Sequence, residues 1–184
     1  VADHGTASAQ SYPAAAPQWT IEQRTEVGML SHNVRIVSEL AAGSTFGGHV
    51  MLMGNVAGEH GRGRFSNVEL RNPGQEKRLG RYPMHWHMQV DNGAGQYIKN
   101  CSINSSFNRA ITIHGSHYVT VEDNVCFDHM GHGIFLEDGV EKENQIHRNL
   151  VVFTKRPFDT FELLVHDNEL DVPQNRTPAA FWIT

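Results

Sequence analysis

Short runs of β-branched and other apolar residues recur along the chain, each bounded by Gly, Asn, Asp or Ser. No window of about a dozen residues shows the apolar stripe of an amphipathic helix. The pattern therefore predicts an all-β fold after Trp19. The predicted strands are 34–37, 50–53, 97–98, 110–113, 118–121, 133–136 and 150–153.

These runs repeat with a period. Ile98–Ile103 aligns with Val121–Cys126, and the latter aligns in turn with Ile146–Val151. A second family of runs repeats in step with the first and comprises Met84–His87, Ile111–His114 and Ile134–Glu137.

A period of about 20–27 residues made of strands and turns is typical of a solenoid, in which single coils bury their apolar faces only by stacking. The repeat therefore predicts a parallel β-helix. A sandwich of antiparallel strands is the alternative fold, although it would not explain why two interleaved strand families keep one period.

The length of 184 residues favours one domain. Residues 1–20 are rich in Ala, Ser and Pro and are interpreted as a linker or extended entry segment, and 21–184 as the β-helix domain. The chain begins with Val1 rather than Met, which indicates a processed or cut N-terminus.

Charge and hydropathy exclude two classes of partner. The net charge is -5 and the basic residues are scattered, which argues against nucleic-acid binding. No apolar run approaches the roughly 18 residues that a membrane span needs. The segment Gly61–Arg64 is interpreted as a solvated basic turn.

The two cysteines fit the same alignment. Cys101 aligns with Asn124 and Cys126 aligns with Ile103. The cysteines are therefore expected to lie two columns and one coil apart, too far for a disulfide. The alignment predicts two buried free thiols.

Because side chains alternate between the two faces of a strand, the same alignment predicts which residues share the outer face. If Met84, Ile111 and Ile134 point inward, the residues three positions later form an outward column of His87, His114 and Glu137. His85 lies on the same outward face. Six of the twelve histidines fall between residues 85 and 132.

Two imidazoles and a carboxylate on adjacent coils suit a divalent metal, zinc or a similar transition metal, with calcium as the alternative. The predicted metal ligands are His85, His87, His114, His132 and Glu137.

The same groups suit proton transfer. The catalytic candidates are His87, His114, Glu137, Asp138 and Arg109, of which Arg109 is predicted to meet the carboxylate of an acidic sugar. His132 ends a predicted turn, Asp128–His132. A purely structural polar ladder is the alternative interpretation.

Several segments resemble those of one family, the cell-migration-inducing hyaluronidase and fibrocystin-like extracellular proteins. The resemblance runs in order from about Ile21 to Thr184 and rests on Glu26–Val34 (EVGMLSHNV), Arg81–His87 (RYPMHWH), Phe107–Gly115 (FNRAITIHG), Asp128–Gly133 (DHMGHG), Phe135–Gly139 (FLEDG) and Ala180–Thr184 (AFWIT).

This resemblance implies a right-handed parallel β-helix and a secreted or cell-surface location. For some members it implies hyaluronan depolymerisation. It also implies further coils after Thr184, so residues 21–184 are expected to be part of a longer helix. The sequons at Asn104 and Asn175 also lean toward secretion.

Three functions follow as hypotheses. The first is a polysaccharide-cleaving enzyme acting on an acidic glycan, either by β-elimination or by hydrolysis with Glu137 or Asp138 as general acid or base. The second is a non-catalytic glycan-binding or adhesion module. The third is a structural spacer in a larger ectodomain.

Overall fold

The computed structural model describes residues 25–55, 58–155 and 178–184. These ranges contain fourteen strands, one 3-10 helix over Asp91–Gly93 and no α-helix, and none of their helices is long and apolar enough to cross a membrane. The predicted linker, residues 1–20, and the sequon at Asn175 lie outside the described residues.

The strands are β1 (Val34–Val37), β2 (Val50–Met53), β3 (Arg64–Ser66), β4 (Val68–Arg71), β5 (Met84–Val90), β6 (Tyr97–Lys99), β7 (Ser102–Ser106), β8 (Ile111–Ser116), β9 (Thr120–Glu122), β10 (Val125–Met130), β11 (Ile134–Leu136), β12 (Gln145–His147), β13 (Leu150–Lys155) and β14 (Phe181–Ile183).

The chain visits three sheets in a fixed rotation. Their strand orders are β1-β4-β7-β10-β13, β14-β11-β8-β5-β2 and β12-β9-β6-β3. Every pairing between these described strands is parallel, which excludes the antiparallel sandwich. Two isolated antiparallel bridges, Phe46–Gln75 and Gly54–His60, lie in connecting segments.

The predicted inward column is confirmed. Ile111 pairs with both Met84 and Ile134, and all three are buried in the core between the sheets. The predicted alignment of the segments that begin at Ile98, Val121 and Ile146 is also confirmed, since Val121 pairs with both Ile98 and Ile146.

The spacing of paired strands along the chain changes at β5. Partners among β5 to β13 are closer in sequence, as in Met84–Ile111 and Tyr97–Thr120, than earlier partners such as Val50–Met84. The physical reason is a longer connection in the early coils: residues 72–83 join β4 to β5, whereas residues 107–110 join β7 to β8.

Two polar features align the turns of successive coils. Asn100 and Asp123 occupy stacked turns with positive φ, a conformation that Asn and Asp tolerate better than most residues. Inside the stack, the Asn124 side-chain oxygen accepts the Cys101 N–H at 3.0 Å, and the Asn124 N–H donates to the Asn149 side-chain oxygen at 3.0 Å.

The cysteine prediction is confirmed. Cys101 and Cys126 are both buried and free. Cys126 pairs with Ile103, as the alignment requires. Burial raises the pKa of the Cys126 thiol to about 12, so this sulfur stays protonated in the core.

The segment 125–130 corrects one prediction. Asp128 and His129 were assigned to a turn, but both lie in strand β10. Asp128 has a positive φ (55°), and β10 pairs with β13 both before it, at Phe127, and after it, at His129.

Candidate functional site

Three imidazoles meet on the outer surface of the sheet that contains β5, β8 and β11. His85 and His87 point outward from β5, and His87 pairs directly with His114 on β8. One ring nitrogen from each histidine lies within 4.8 Å of the others. The ring centroids of His87 and His114 are 4.9 Å apart. This is the one group of metal-ligating side chains found within the described residues.

His85 is fixed in one tautomer. Its Nδ1 lies 3.1 Å from the carbonyl oxygen of Gly80, which can only accept, so Nδ1 carries the proton. The side chain is 1% exposed, and its Nε2 has no hydrogen-bond partner. Burial lowers the pKa of His85 to about 3, so the imidazole is neutral and offers the Nε2 lone pair.

His87 and His114 complete the group. The Nδ1 atom of His87 is also buried without a hydrogen-bond partner. Burial lowers the pKa of His87, and the neighbouring His114 lowers it further. The Nε2 atom of His114 lies 3.0 Å from Oδ2 of Asp138, and its Nδ1 lies 3.6 Å from Oε2 of Glu137.

Glu137 and Asp138 follow β11 and border the imidazoles. Their side chains are 17% and 43% exposed, respectively. Burial raises the pKa of the Glu137 carboxyl, whereas the positive charge of Arg109 lowers it. Five of the residues predicted for the site therefore lie together: His85, His87, His114, Glu137 and Asp138. Strand alternation predicts the outward position of the first four, whereas Asp138 was named only because it follows Glu137.

Arg109 lies inside the wall of the site, although the sequence analysis placed it on the surface to meet a sugar carboxylate. Its side chain is 1% exposed, and its guanidinium carbon is 4.1 Å from the Phe135 ring centroid. Its Nη1 donates to the Tyr82 hydroxyl at 3.2 Å and lies 3.8 Å from Oε1 of Glu137. Arg109 therefore faces a carboxylate of the protein itself.

His132 is also held apart from the three imidazoles. Its ring is buried against Phe135 and Trp182, at centroid distances of 5.2 and 4.6 Å. Its Nδ1 accepts the backbone N–H of Ala179 at 3.1 Å. These contacts tie β14 to β11, and His132 is not a member of the group of nitrogens around His85.

Backbone strain adjoins the imidazoles. The pairing of β5 with β8 shifts register after His87, where Met88 has a φ of 53°. Val90 has φ 51° and ψ -123°, a conformation that is an outlier for a β-branched residue. Bulges of this kind are frequent next to active sites, where they re-aim side chains.

Sequence reasoning did not identify three supporting residues. Gly80 sets the His85 tautomer, Tyr82 contacts Arg109, and Glu141 binds backbone N–H groups beside His114. Tyr82 lies in the RYPMHWH motif, which was a usable signal. Glu141 lies in a loop without repeat alignment and gave none.

The sequon at Asn104 is covered by the chain around Leu30. Asn104 is 8% exposed, and its side-chain nitrogen lies 3.4 Å from the Leu30 carbonyl oxygen, to which it donates. This side chain is therefore inaccessible in the folded chain, and the sequon gives no support for a secreted location.

Comparison with known proteins assigns the family. The family model described as CEMIP beta-helix matches residues 45–184. Fibrocystin-L of Mus musculus is 44% identical over 140 residues, which are 76% of this chain and 3% of that protein. The cell surface hyaluronidase CEMIP2 of Homo sapiens is 37% identical over 153 residues, covering 73% of this chain and 11% of that protein.

A G8 domain-containing protein of Dictyostelium discoideum is 40% identical over 172 residues, covering 89% of this chain and 11% of that protein. The chain thus spans a small fraction of the length of these relatives. With the parallel three-sheet coil and the family match over residues 45–184, the chain belongs to the CEMIP β-helix family.

Proposed function

We propose that this chain carries the active face of an extracellular protein that cleaves an acidic, hyaluronan-like glycan with the help of a bound metal. The observation that carries the proposal is the convergence of His85, His87 and His114 beside two carboxylates. Two relatives, from Homo sapiens and Danio rerio, are named cell surface hyaluronidases.

The donor set fits a transition metal better than calcium. Neutral imidazoles are preferred by zinc and similar ions, whereas calcium takes oxygen ligands. In a tetrahedral zinc site, two nitrogens at about 2.1 Å from the ion lie about 3.4 Å apart, so ring nitrogens that lie within 4.8 Å of one another would move closer by up to about 1.4 Å on binding. Catalytic zinc sites commonly use three protein ligands and keep one position open.

The surroundings of the rings also suit metal binding. A ligating histidine usually donates its second ring N–H to a carbonyl or carboxylate. Gly80 provides the carbonyl for His85, and Asp138 provides the carboxylate for His114, whose Nδ1 would then hold the lone pair. Glu137 borders this set, and His132 serves as a structural residue.

The carboxylates would move the protons. A bound metal would supply a Lewis acid and an activated water. In hydrolysis the bond between the anomeric carbon and the glycosidic oxygen breaks, and that oxygen takes the proton of Glu137. The water oxygen bonds to the anomeric carbon, and the Asp138 carboxylate, whose Oδ2 lies 3.0 Å from Nε2 of His114, accepts the proton that the water loses. Elimination is the alternative, and because Arg109 is buried the bound metal would have to neutralise the uronate instead of activating the water.

The proposal includes the winding of the coil. We propose that the coil is right-handed, because crossovers between parallel strands of one sheet are right-handed in about 98% of cases. We also propose a repeat of about 20–27 residues per coil, which insertions lengthen in the early coils.

A non-catalytic glycan-binding or adhesion role is the second candidate. It is favoured by the identity to fibrocystin-L, whose name states no enzymatic activity. In that case the imidazoles would hold a structural metal, and glycan would bind without being cut.

The test combines metal content and turnover. Protein loaded with zinc or calcium is analysed by mass spectrometry for bound metal and incubated with hyaluronan, and new reducing ends are counted. We expect zinc to bind and reducing ends to appear without ultraviolet absorbance, because elimination alone leaves an unsaturated product. Binding without new ends would favour the second candidate. Folded protein that binds neither ion and cuts no glycan would refute the proposal.

A further inference from the structure

We infer that Glu141 is a positioning residue that holds the Asp138 carboxylate against His114. One oxygen of Glu141 ties together the two segments that carry these side chains. The inference deepens the proposed function, and its catalytic consequence rests on that function. The claim that Glu141 holds Asp138 in place does not depend on the proposed function.

The contacts are specific. Oε1 of Glu141 accepts the backbone N–H of Gly115 at 2.9 Å and the backbone N–H of Asp138 at 3.2 Å. Gly115 directly follows His114, whose Nε2 lies 3.0 Å from Oδ2 of Asp138. The Glu141 carboxylate therefore bridges the backbone on both sides of the Asp138–His114 contact.

Such a bridge is strong enough to determine geometry. Hydrogen bonds from N–H groups to an ionised carboxylate are about twice as strong as those between neutral groups. The other oxygen of Glu141 is also buried, so protein surrounds this end of the side chain. Removing it would release the backbone of Asp138, which has an exposed side chain and lies in a loop.

The far end of this loop is anchored independently of Glu141. The Lys142 N–H donates to Nδ1 of His117 at 3.2 Å. The Asn144 side chain accepts the Val119 N–H and donates to the Ser116 carbonyl oxygen, each at 2.9 Å. Loss of the Glu141 carboxylate is therefore expected to free residues 138–140 while the coil stays folded.

The consequence concerns the His114 ring. Oδ2 of Asp138 lies 3.0 Å from Nε2, where it can accept a hydrogen bond from the ring, and this position favours the tautomer with the proton on Nε2. Without Glu141 the carboxylate of Asp138 would sample other positions, and the ring would lose this preference. Glu141 thus acts on the site through Asp138 without touching the imidazoles.

The test reads the His114 tautomer in metal-free protein by ¹⁵N NMR of the ring nitrogens. In the wild-type chain we expect the proton on Nε2. Asp138→Asn and Glu141→Ala should both shift the ring toward a mixture of tautomers, and the double variant should match Asp138→Asn alone. Glu141→Gln keeps an oxygen acceptor and should retain the wild-type spectrum. Glu143→Ala, an exposed change in the same loop, is the matched control.

An unchanged His114 spectrum in Glu141→Ala would overturn the inference, and so would additive effects of the two substitutions. If Glu141→Ala does not fold, Glu141→Asp replaces it. Its shorter side chain cannot reach both N–H groups, so an unchanged spectrum would be equally damaging. Because the measurement needs neither metal nor glycan, failure of the proposed function would show in metal content and turnover and leave these spectra unaffected.

Discussion

Replacing Arg109 with Met should destabilise the fold through Glu137. Arg109 is 1% exposed and stacked against Phe135, and its Nη1 lies 3.8 Å from Oε1 of Glu137. Met retains most of the apolar stem, so little packing is lost. What the variant loses is the positive charge that faces a mostly buried carboxylate, together with the hydrogen bond to the Tyr82 hydroxyl.

The magnitude follows from the burial of the two partners. Removing one member of a buried ion pair costs about 3–5 kcal/mol, because the other charge is left uncompensated. Glu137 is 17% exposed, so water screens part of its charge and the lower end applies, about 3 kcal/mol. For a chain of this size, that loss lowers Tm by about 6–12 °C.

The penalty should depend on pH. Burial raises the pKa of the Glu137 carboxyl and Arg109 opposes that shift, so loss of Arg109 raises the pKa further. A carboxyl whose pKa is higher in the folded than in the unfolded state loses stability as pH rises, because the folded state binds more protons. The deficit of the variant should therefore be small in acid and full at neutral pH.

Urea denaturation of four proteins provides the measurement: the wild type, Arg109→Met, Glu137→Gln and the double variant. The double variant should recover to within about 1 kcal/mol of the wild type, because replacing both partners removes the unpaired charge. Arg148→Met is the control, since this arginine is 63% exposed and should be dispensable. A loss below about 1 kcal/mol at neutral pH, or no recovery in the double variant, would refute the reasoning.

Three further outcomes are expected. His114→Ala should stay folded yet lose zinc content and glycan turnover at least tenfold, whereas His147→Ala on exposed β12 changes neither; equal loss in both would argue for scattered surface binding. Val90→Gly should stabilise the chain by about 1 kcal/mol in thermal unfolding, because φ 51° and ψ -123° strain a β-branched residue but not glycine. Burial, with a smaller contribution from the Lys155 charge, lowers the pKa of His129 to about 4. The unfolded state therefore takes up the proton first, and stability should fall by roughly 2–3 kcal/mol between about pH 6.5 and 4. His129→Gln should reduce this dependence in denaturation curves measured at several pH values, and part of it should remain because burial also lowers the pKa of His85.

The stacking register could be predicted because strand alternation and coil repetition reinforce each other. Met84, Ile111 and Ile134 share one column, so any shift by one residue would place their apolar side chains in solvent. By contrast, β3 is only three residues long and was not predicted, and its first residue, Arg64, was interpreted as the end of a basic turn. Its strand exists because Phe65 pairs with Ile98 on the next coil, a contact that no local pattern reveals.

The candidate site likewise has features that the sequence predicts and features that it does not. His87 and His114 were placed together by register alone, and the structure agrees. The burial of Arg109 and His132 could not be predicted, because Phe135 and Trp182 reach them from other positions in the coil. Alternation separates the core from the exterior of a sheet, but it does not reveal which exterior residues are covered by others.

The outer surface of this sheet in fact has two columns with different exposure. One is largely buried and runs through Met51, His85, Thr112, Phe135 and Trp182. The other is more open to solvent: Met53 is exposed, and His87, His114 and Glu137 are partly exposed.

The two columns have different roles: the buried residues position the site, and the more open residues can be reached from solvent. His85 and the Phe135–Arg109 stack belong to the buried side, where packing fixes a tautomer and places a positive charge behind Glu137. His114 and Glu137 belong to the open side, where a glycan could reach them. Because Arg109 is buried and directed at Glu137, an acidic sugar approaching the open column would meet the carboxylates of Glu137 and Asp138 and could not pair with this guanidinium. Under the proposed function, a cation held by the imidazoles would offset these carboxylates and let an acidic glycan bind, so the proposed glycan turnover should depend steeply on metal loading.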